Sequence, residues 1–206
     1  MTTTLGRVPP SPGRMGVDFE ERVDFDRLRR YRLQRARAAL DASDLGAVLL
    51  FDINNIRYVS ATMIGEWARD KVARYTLLTR TGEPVVWDFG SAARHHQLYA
   101  PWIRPEHSRA GMLGLRGAVA PDAGLIAAAV AEIAALLAEH GVAGMPLGVD
   151  IAETPMILEL QRVGIEALRV EDADRTCQCA RHVRDRHADP SLSDVQPDYS
   201  HEVTLY

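Results

Sequence analysis

The sequence predicts an α/β fold, a single three-layer domain in which a mixed β-sheet is flanked by helices. Short apolar runs alternate with segments of helical period from Phe25 to Val170, the alternation that builds a sheet with helices on its faces. Two of the runs, 75–80 and 84–88, are joined only by Thr81-Gly82-Glu83, a hairpin signal that gives the sheet an antiparallel part. At 206 residues the chain can bury a proper core without disulfides.

Residues 1–23 hold Pro9, Pro10 and Pro12 with almost no apolar period. They cannot bury enough surface to order themselves and read as a tail or an arm laid on a neighbour. From Phe25 the period turns helical: Phe25, Leu28, Leu33, Ala36, Ala39 and Leu40 project to one side, with Asp24 as N-cap. Residues 46–51 form a short apolar run bounded by turn formers, which reads as a fully buried strand. The run stops at Asp52. Asp52 and Asn54 can accept from the free N–H groups of a following turn, which starts a short helix carrying Ile53, Ile56, Arg57 and Tyr58. Residues 61–73 are an irregular excursion with Met63, Ile64, Trp67, Arg69, Asp70 and Lys71.

After the hairpin, residues 91–98 predict a helix capped by Ser91, and residues 101–105 an edge strand closed by prolines at both ends. Residues 106–120 are glycine-rich and carry no clear period. A helix follows over 122–140, with Ile126, Val130, Ile133 and Leu137 inward and Gly141 as a left-handed stop. Residues 147–150 predict a strand. Thr154 caps a helix with Pro155 at its first position, Ile157, Leu160 and Val163 inward, and Gly164 ending it. Residues 167–170 give the last strand. The core domain is expected to span 24–172. Residues 173–206 read as a connector remnant and polar tail.

Lys and Arg total 24 against 28 Asp and Glu, a formal charge of −4. That balance gives no global drive toward nucleic acid or an anionic membrane, and neither is expected as a partner. Residues 1–16 lack the apolar core of a signal peptide, and no window reaches the roughly 20 apolar residues of a spanning helix. A cytoplasmic protein is expected. Cys177 and Cys179 are one residue apart, which is poor geometry for pairing with each other.

Cys177, Cys179, His182 and His187 offer soft ligands, but one residue between cysteines disfavours a shared tetrahedral ion. For the adjacent His95 and His96, one packed and one solvated ring is the simplest account. The arginines from Arg27 to Arg37 have no aromatic platform and read as a solvated helix face. The turn after Phe51 lacks the glycines of a phosphate loop, and there is no Gly-x-Ser-x-Gly elbow.

The buried strand leading into Asn55-Ile56-Arg57-Tyr58, then Trp67 and Arg74 ahead of Tyr75-Thr76-Leu77-Leu78, then Val85-Val86-Trp87-Asp88, resembles the N-terminal domain of the creatinase, prolidase and Xaa-Pro aminopeptidase superfamily, the pita-bread metalloenzymes. The run from Phe51 to Asp88 is most similar to the branch that includes the dimethylsulfoniopropionate lyases, and the likeness covers about residues 24–184. The resemblance implies that the loop between the first two strands reaches across a dimer into the partner's active site, where an arginine can hold a substrate carboxylate. That role falls to Arg74, or to Arg69 in another register, with Trp67 walling the pocket. Asp52, Asn55, Arg57 and Tyr58 are structural on the plainer reading: Asp52 caps a turn, Asn55 bonds the backbone and Tyr58 packs its ring.

Full-length members of that superfamily use a dinuclear divalent metal centre held by two Asp, one His and two Glu of a C-terminal domain. Asp185, Asp189, Asp194, Asp198, His201 and Glu202 lie on what reads as an unstructured tail and cannot form that cage. No catalytic residue, metal or cofactor is therefore expected in this chain, which by itself should be inactive. The resemblance implies a non-catalytic dimerisation and substrate-access domain of a metallohydrolase or lyase, partnered by a second copy or a full-length paralogue. The polar end points to a truncated or frameshifted product or a domain expressed on its own. A stand-alone partner or small-carboxylate-binding module is the alternative.

Overall fold

The computed structural model describes residues 24–63, 74–112 and 123–169. Residues 29–186 form one compact unit; 1–28 with 187–206 form another, of which only 24–28, the first turn of a helix, are described.

Helix α1 (Phe25–Asp41) starts where the Asp24 carboxylate accepts from Arg27 N at 2.9 Å, and it buries Ala36 and Leu40. Strand β1 (Ala47–Leu50) is buried at every position, as its unbroken apolar run predicts. Helix α2 (Ile53–Ser60) stops at Ala61, whose left-handed φ of 53° lets its N–H reach Arg57 O. Strands β2 (Tyr75–Thr79) and β3 (Val85–Asp88) form the hairpin. Helix α3 (Gly90–Tyr99), strand β4 (Ser108–Ala110), helix α4 (Leu125–Glu139), strand β5 (Leu147–Val149), helix α5 (Thr154–Arg162) and strand β6 (Ala167–Arg169) complete the described chain.

The six strands lie in the order β4-β3-β2-β1-β5-β6. β2 runs antiparallel to both its neighbours, and the other three pairings are parallel, so the sheet is mixed and the hairpin supplies its antiparallel part. Strand side chains alternate between faces. Ala47, Leu49, Phe51, Tyr75, Leu77, Val85 and Trp87 point to one face and form the larger core with Val130, Ile133 and Leu137 of α4 and Met156 and Leu160 of α5. Val48, Leu50 and Leu78 point to the other and pack with Ala36, Leu40, Ile56 and Val59 of α1 and α2. α3 lies on that second face, tied down where Ser108 Oγ donates to Ala93 O at 2.9 Å.

Several expected details move. The edge strand is Ser108–Ala110 rather than 101–105: the two prolines donate no ladder bond, and the chain from Pro105 to His107 takes a 3-10 turn instead. The strand is three residues long, too short to show a period against its glycine-rich surroundings. Neither Ser91 nor Thr154 caps its helix, since each lies inside one that begins at Gly90 or at Thr154 itself. Phe89 and Glu153 hold the cap positions and accept through backbone carbonyls, Phe89 from Ala92 N and Ala93 N and Glu153 from Met156 N and Ile157 N. Val163 and Phe25, expected inward, are 42% and 44% exposed: Val163 follows the last residue of α5, and Phe25 begins α1 well ahead of its first buried position, Ala36. Gly141 (φ 70°) and Gly164 (φ 81°) take the left-handed conformation at helix ends.

Candidate functional site

In sheets of this kind functional groups gather beyond the carboxyl ends of the strands. Here those ends carry Asp52 after β1, Asp88 at the end of β3 and Asp150 after β5. Asp150 is buried between β1 and β5. Its Oδ1 accepts from Phe51 N (2.7 Å) and Ile151 N (2.6 Å), and its Oδ2 from Asp52 N and Asn55 Nδ2, both at 3.0 Å. Four donors saturate one carboxylate and close the gap that two parallel strands leave where their ladder ends. Asp52 Oδ1 accepts from Asn54 N and Asn55 N, satisfying first-turn N–H groups of α2. Asn55 thus bonds a carboxylate, not the backbone.

Arg74 immediately precedes β2. The register Tyr75↔Trp87 sets it opposite Asp88 on the α1–α3 face of the sheet. Both side chains are 0% exposed, and Arg74 Nε lies 3.6 Å from Asp88 Oδ1. The other carboxylate oxygen meets His96 Nε2 of α3 at 2.7 Å. Arg74 Nη2 donates to Thr62 Oγ1 at 2.5 Å. Ser60 Oγ, 2.7 Å from Thr62 Oγ1, gives its own proton to Ile56 O, so Thr62 must donate to Ser60. The hydrogen bonds therefore run in one direction, from the guanidinium through two hydroxyls to the α2 backbone. Burial lowers the pKa of Arg74 from its ordinary value, and the charge of Asp88 opposes that shift.

Around this buried centre the surface is aromatic and cationic. Trp102 Nε1 donates to Ser60 O at 2.9 Å, and Arg29 stacks 4.0 Å over its ring. Arg32 lies 5.6 Å over the ring of Tyr58. Burial raises the Tyr58 phenol, with Arg35 and Arg32 opposing, and burial lowers Arg32. The helix read as lacking an aromatic platform thus finds rings supplied by other elements. Leu98, Tyr99 and Trp102 stand exposed at and just past the end of α3. On the opposite face of the sheet Phe51, Tyr75 and Trp87 form a ring ladder with centroids 5.6 and 4.9 Å apart.

Of the residues singled out by sequence, Arg74 is enclosed with Asp88 and Thr62, and Trp67 and Arg69 lie outside the described residues. Asp52 and Asn55 meet Asp150 at the β1–β5 junction, Tyr58 is half-buried beneath Arg32, and Arg57 is exposed. Cys177, Cys179, His182 and His187 also lie outside the described residues. The expected split of His95 and His96 into one solvated and one packed ring holds, with His96 the buried one; sequence reasoning missed its partner Asp88, and Asp150. For the two aspartates a signal was there, since each ends an apolar run, in Val85-Val86-Trp87-Asp88 and Leu147-Gly148-Val149-Asp150. Among the described residues no group of three or more His, Cys, Asp or Glu is placed to hold a metal ion, and no helix is long and apolar enough to cross a membrane.

Residues 32–183 match the family described as Creatinase/Prolidase N-terminal domain. A dimethylsulfoniopropionate lyase of Roseovarius nubinhibens is 30% identical over 154 residues, 72% of this chain and 33% of that protein. The chain therefore spans about a third of the length of this curated relative. Among solved structures, an Xaa-Pro dipeptidase from Bacillus anthracis superposes with a TM-score of 0.45 at 14% identity, covering 68% of this chain and 33% of that one. An Xaa-Pro aminopeptidase from Streptococcus thermophilus gives 0.44 at 16% identity, covering 75% of this chain and 97% of that one.

Proposed function

This chain belongs to the creatinase/prolidase N-terminal domain family, and on that premise we propose that it is a non-catalytic domain of a Xaa-Pro peptidase-like or creatinase-like metalloenzyme. Its work is to dimerise and to shape the access of substrate to a metal centre carried by other residues. The observation that carries this reading is the state of the carboxylates at the strand ends. Asp150 is saturated by four donors, Asp88 faces Arg74 and His96, and Asp52 caps α2. A dinuclear site needs several carboxylates free to converge on the ions, and these three are committed to holding the fold.

The exposed Leu98, Tyr99 and Trp102 supply apolar area suited to a contact between copies. Within this reading Arg74 supports the sheet end from inside, and the role of holding a substrate carboxylate across the dimer passes to Arg69, with Trp67 walling the pocket. The setting proposed is a cytoplasmic homodimer, or a pairing with a full-length paralogue.

The test uses the whole 206-residue chain. Incubated with manganese, zinc or iron and offered proline-containing dipeptides, creatine or dimethylsulfoniopropionate, it is expected to turn over none of them and to retain less than one metal ion per chain. Light scattering is expected to report twice the chain mass. Turnover by the chain alone, or two retained metal ions, overturns the proposal.

A further inference from the structure

The Arg74–Asp88 pair is incomplete as it stands. A guanidinium carries five N–H donors, and among the described residues Arg74 makes one hydrogen bond, to Thr62. Its Nε and Nη1 are buried without a hydrogen-bond partner among the described residues, and so are Asp88 Oδ1 and Thr76 Oγ1. The 3.6 Å between Arg74 Nε and Asp88 Oδ1 is an ion contact, too long for a hydrogen bond.

The three residues that carry these four atoms lie on one face of the sheet. Arg74, just ahead of β2, and Thr76, within it, are two residues apart in extended chain and so share a face. The register Arg74 opposite Asp88 follows from Tyr75↔Trp87, which puts Asp88 on that face too. Arg74, Thr76 and Asp88 are each 0% exposed. Buried polar atoms left bare cost about 1–3 kcal/mol each, more when charged, and several in one place call for a shared partner. The partner must accept from a cation and donate to a carboxylate oxygen and a hydroxyl, and it must be small enough to be enclosed by the sheet and α3. Water meets all of these demands, and buried waters typically make about three hydrogen bonds.

We infer that an internal water molecule is a fixed part of this domain, held by Arg74 Nη1, Asp88 Oδ1 and Thr76 Oγ1. It gives Nη1, Oδ1 and Oγ1 a shared partner, leaves Nε in its ion contact with Asp88, and turns Arg74 into a rigid link between Thr62, just past α2, and the start of β2.

The substitution Thr76→Val tests this with an effect of opposite sign on the two alternatives. Valine keeps the shape of threonine and removes Oγ1. If that hydroxyl is unpaired, its removal leaves the melting midpoint unchanged or raises it; if it holds the water, the midpoint falls, by roughly 2–4 °C for a chain of this size. The fall is expected. A crystal structure of the full chain is the second measurement, and density for a water about 2.7–3.2 Å from both Arg74 Nη1 and Asp88 Oδ1 is expected. A dry contact in that density, or a Thr76→Val midpoint at or above that of the parent, overturns the inference.

Discussion

Asn55 and Asp150 stand 95 residues apart in the chain and are joined by a 3.0 Å hydrogen bond from Nδ2 to Oδ2. The bond stitches the start of α2 to the end of β5, the place where the first and second halves of the sheet meet. Because the same carboxylate also takes the N–H groups of Phe51, Asp52 and Ile151, its removal strands four donors at once. Asp150→Ala is expected to cost about 3–5 kcal/mol in urea unfolding, and Asp150→Asn about half of that. A loss under about 1 kcal/mol for the alanine variant would mean that water replaces the carboxylate freely.

The buried ion pair gives a double-mutant cycle. Asp88→Leu leaves Arg74 as a desolvated cation without its counter-charge, and Arg74→Met leaves Asp88 facing only His96. Each is expected to cost about 3–5 kcal/mol, while the double variant should recover most of the loss, because an apolar pair of similar volume suits the site. Additive single costs in denaturant titration would rule out the coupling.

Alkaline pH should unfold the domain through Tyr75. Burial, reinforced by the nearby Glu132 charge, holds its phenol well above the ordinary tyrosine value. A group whose folded pKa is raised contributes stability that is whole below the unfolded pKa, about 10 for tyrosine, and fades as pH climbs toward the folded one. Stability should therefore fall above about pH 10 with a slope approaching 1.4 kcal/mol per pH unit for this one group. In Tyr75→Phe that limb should be shallower, as read from urea midpoints at stepped pH.

Gly46 lies between α1 and β1 with its N–H on Pro146 O at 2.9 Å. A methyl group there would sit 2.7 Å from Met145 Cβ and 2.9 Å from Val142 Cβ. Gly46→Ala is expected to destabilise by about 1–3 kcal/mol through overpacking, lowering the thermal midpoint with the circular-dichroism spectrum of the folded state unchanged.

Most of the architecture could be read from the chain because burial imposes periods. The unbroken Ala47–Leu50 run, the hairpin around Gly82 and the spacing of Val130, Ile133 and Leu137 each carry their own signal. What stayed hidden has no local signature. A three-residue edge strand at Ser108–Ala110 is shorter than any period, and caps made by the carbonyls of Phe89 and Glu153 leave no mark on side-chain identity. The site was less legible still. Arg74 was visible as a charge beside an apolar run. That it meets Asp88 and Thr62, and that Asp88 in turn meets His96, depends on the pairing of β2 with β3 and on where α3 packs, which are facts of tertiary structure.

The order β4-β3-β2-β1-β5-β6 also bears on how the polypeptide is made. The strands to one side of β1, namely β2, β3 and β4, are all synthesised by residue 110, while α4, β5, α5 and β6 follow them. A nascent chain halted ahead of residue 125 has four strands but nothing to shelter Leu49, Tyr75 and Trp87, and one flank of β1 still lacks its neighbour. Until the later residues emerge, that flank is an open template for any extended segment nearby.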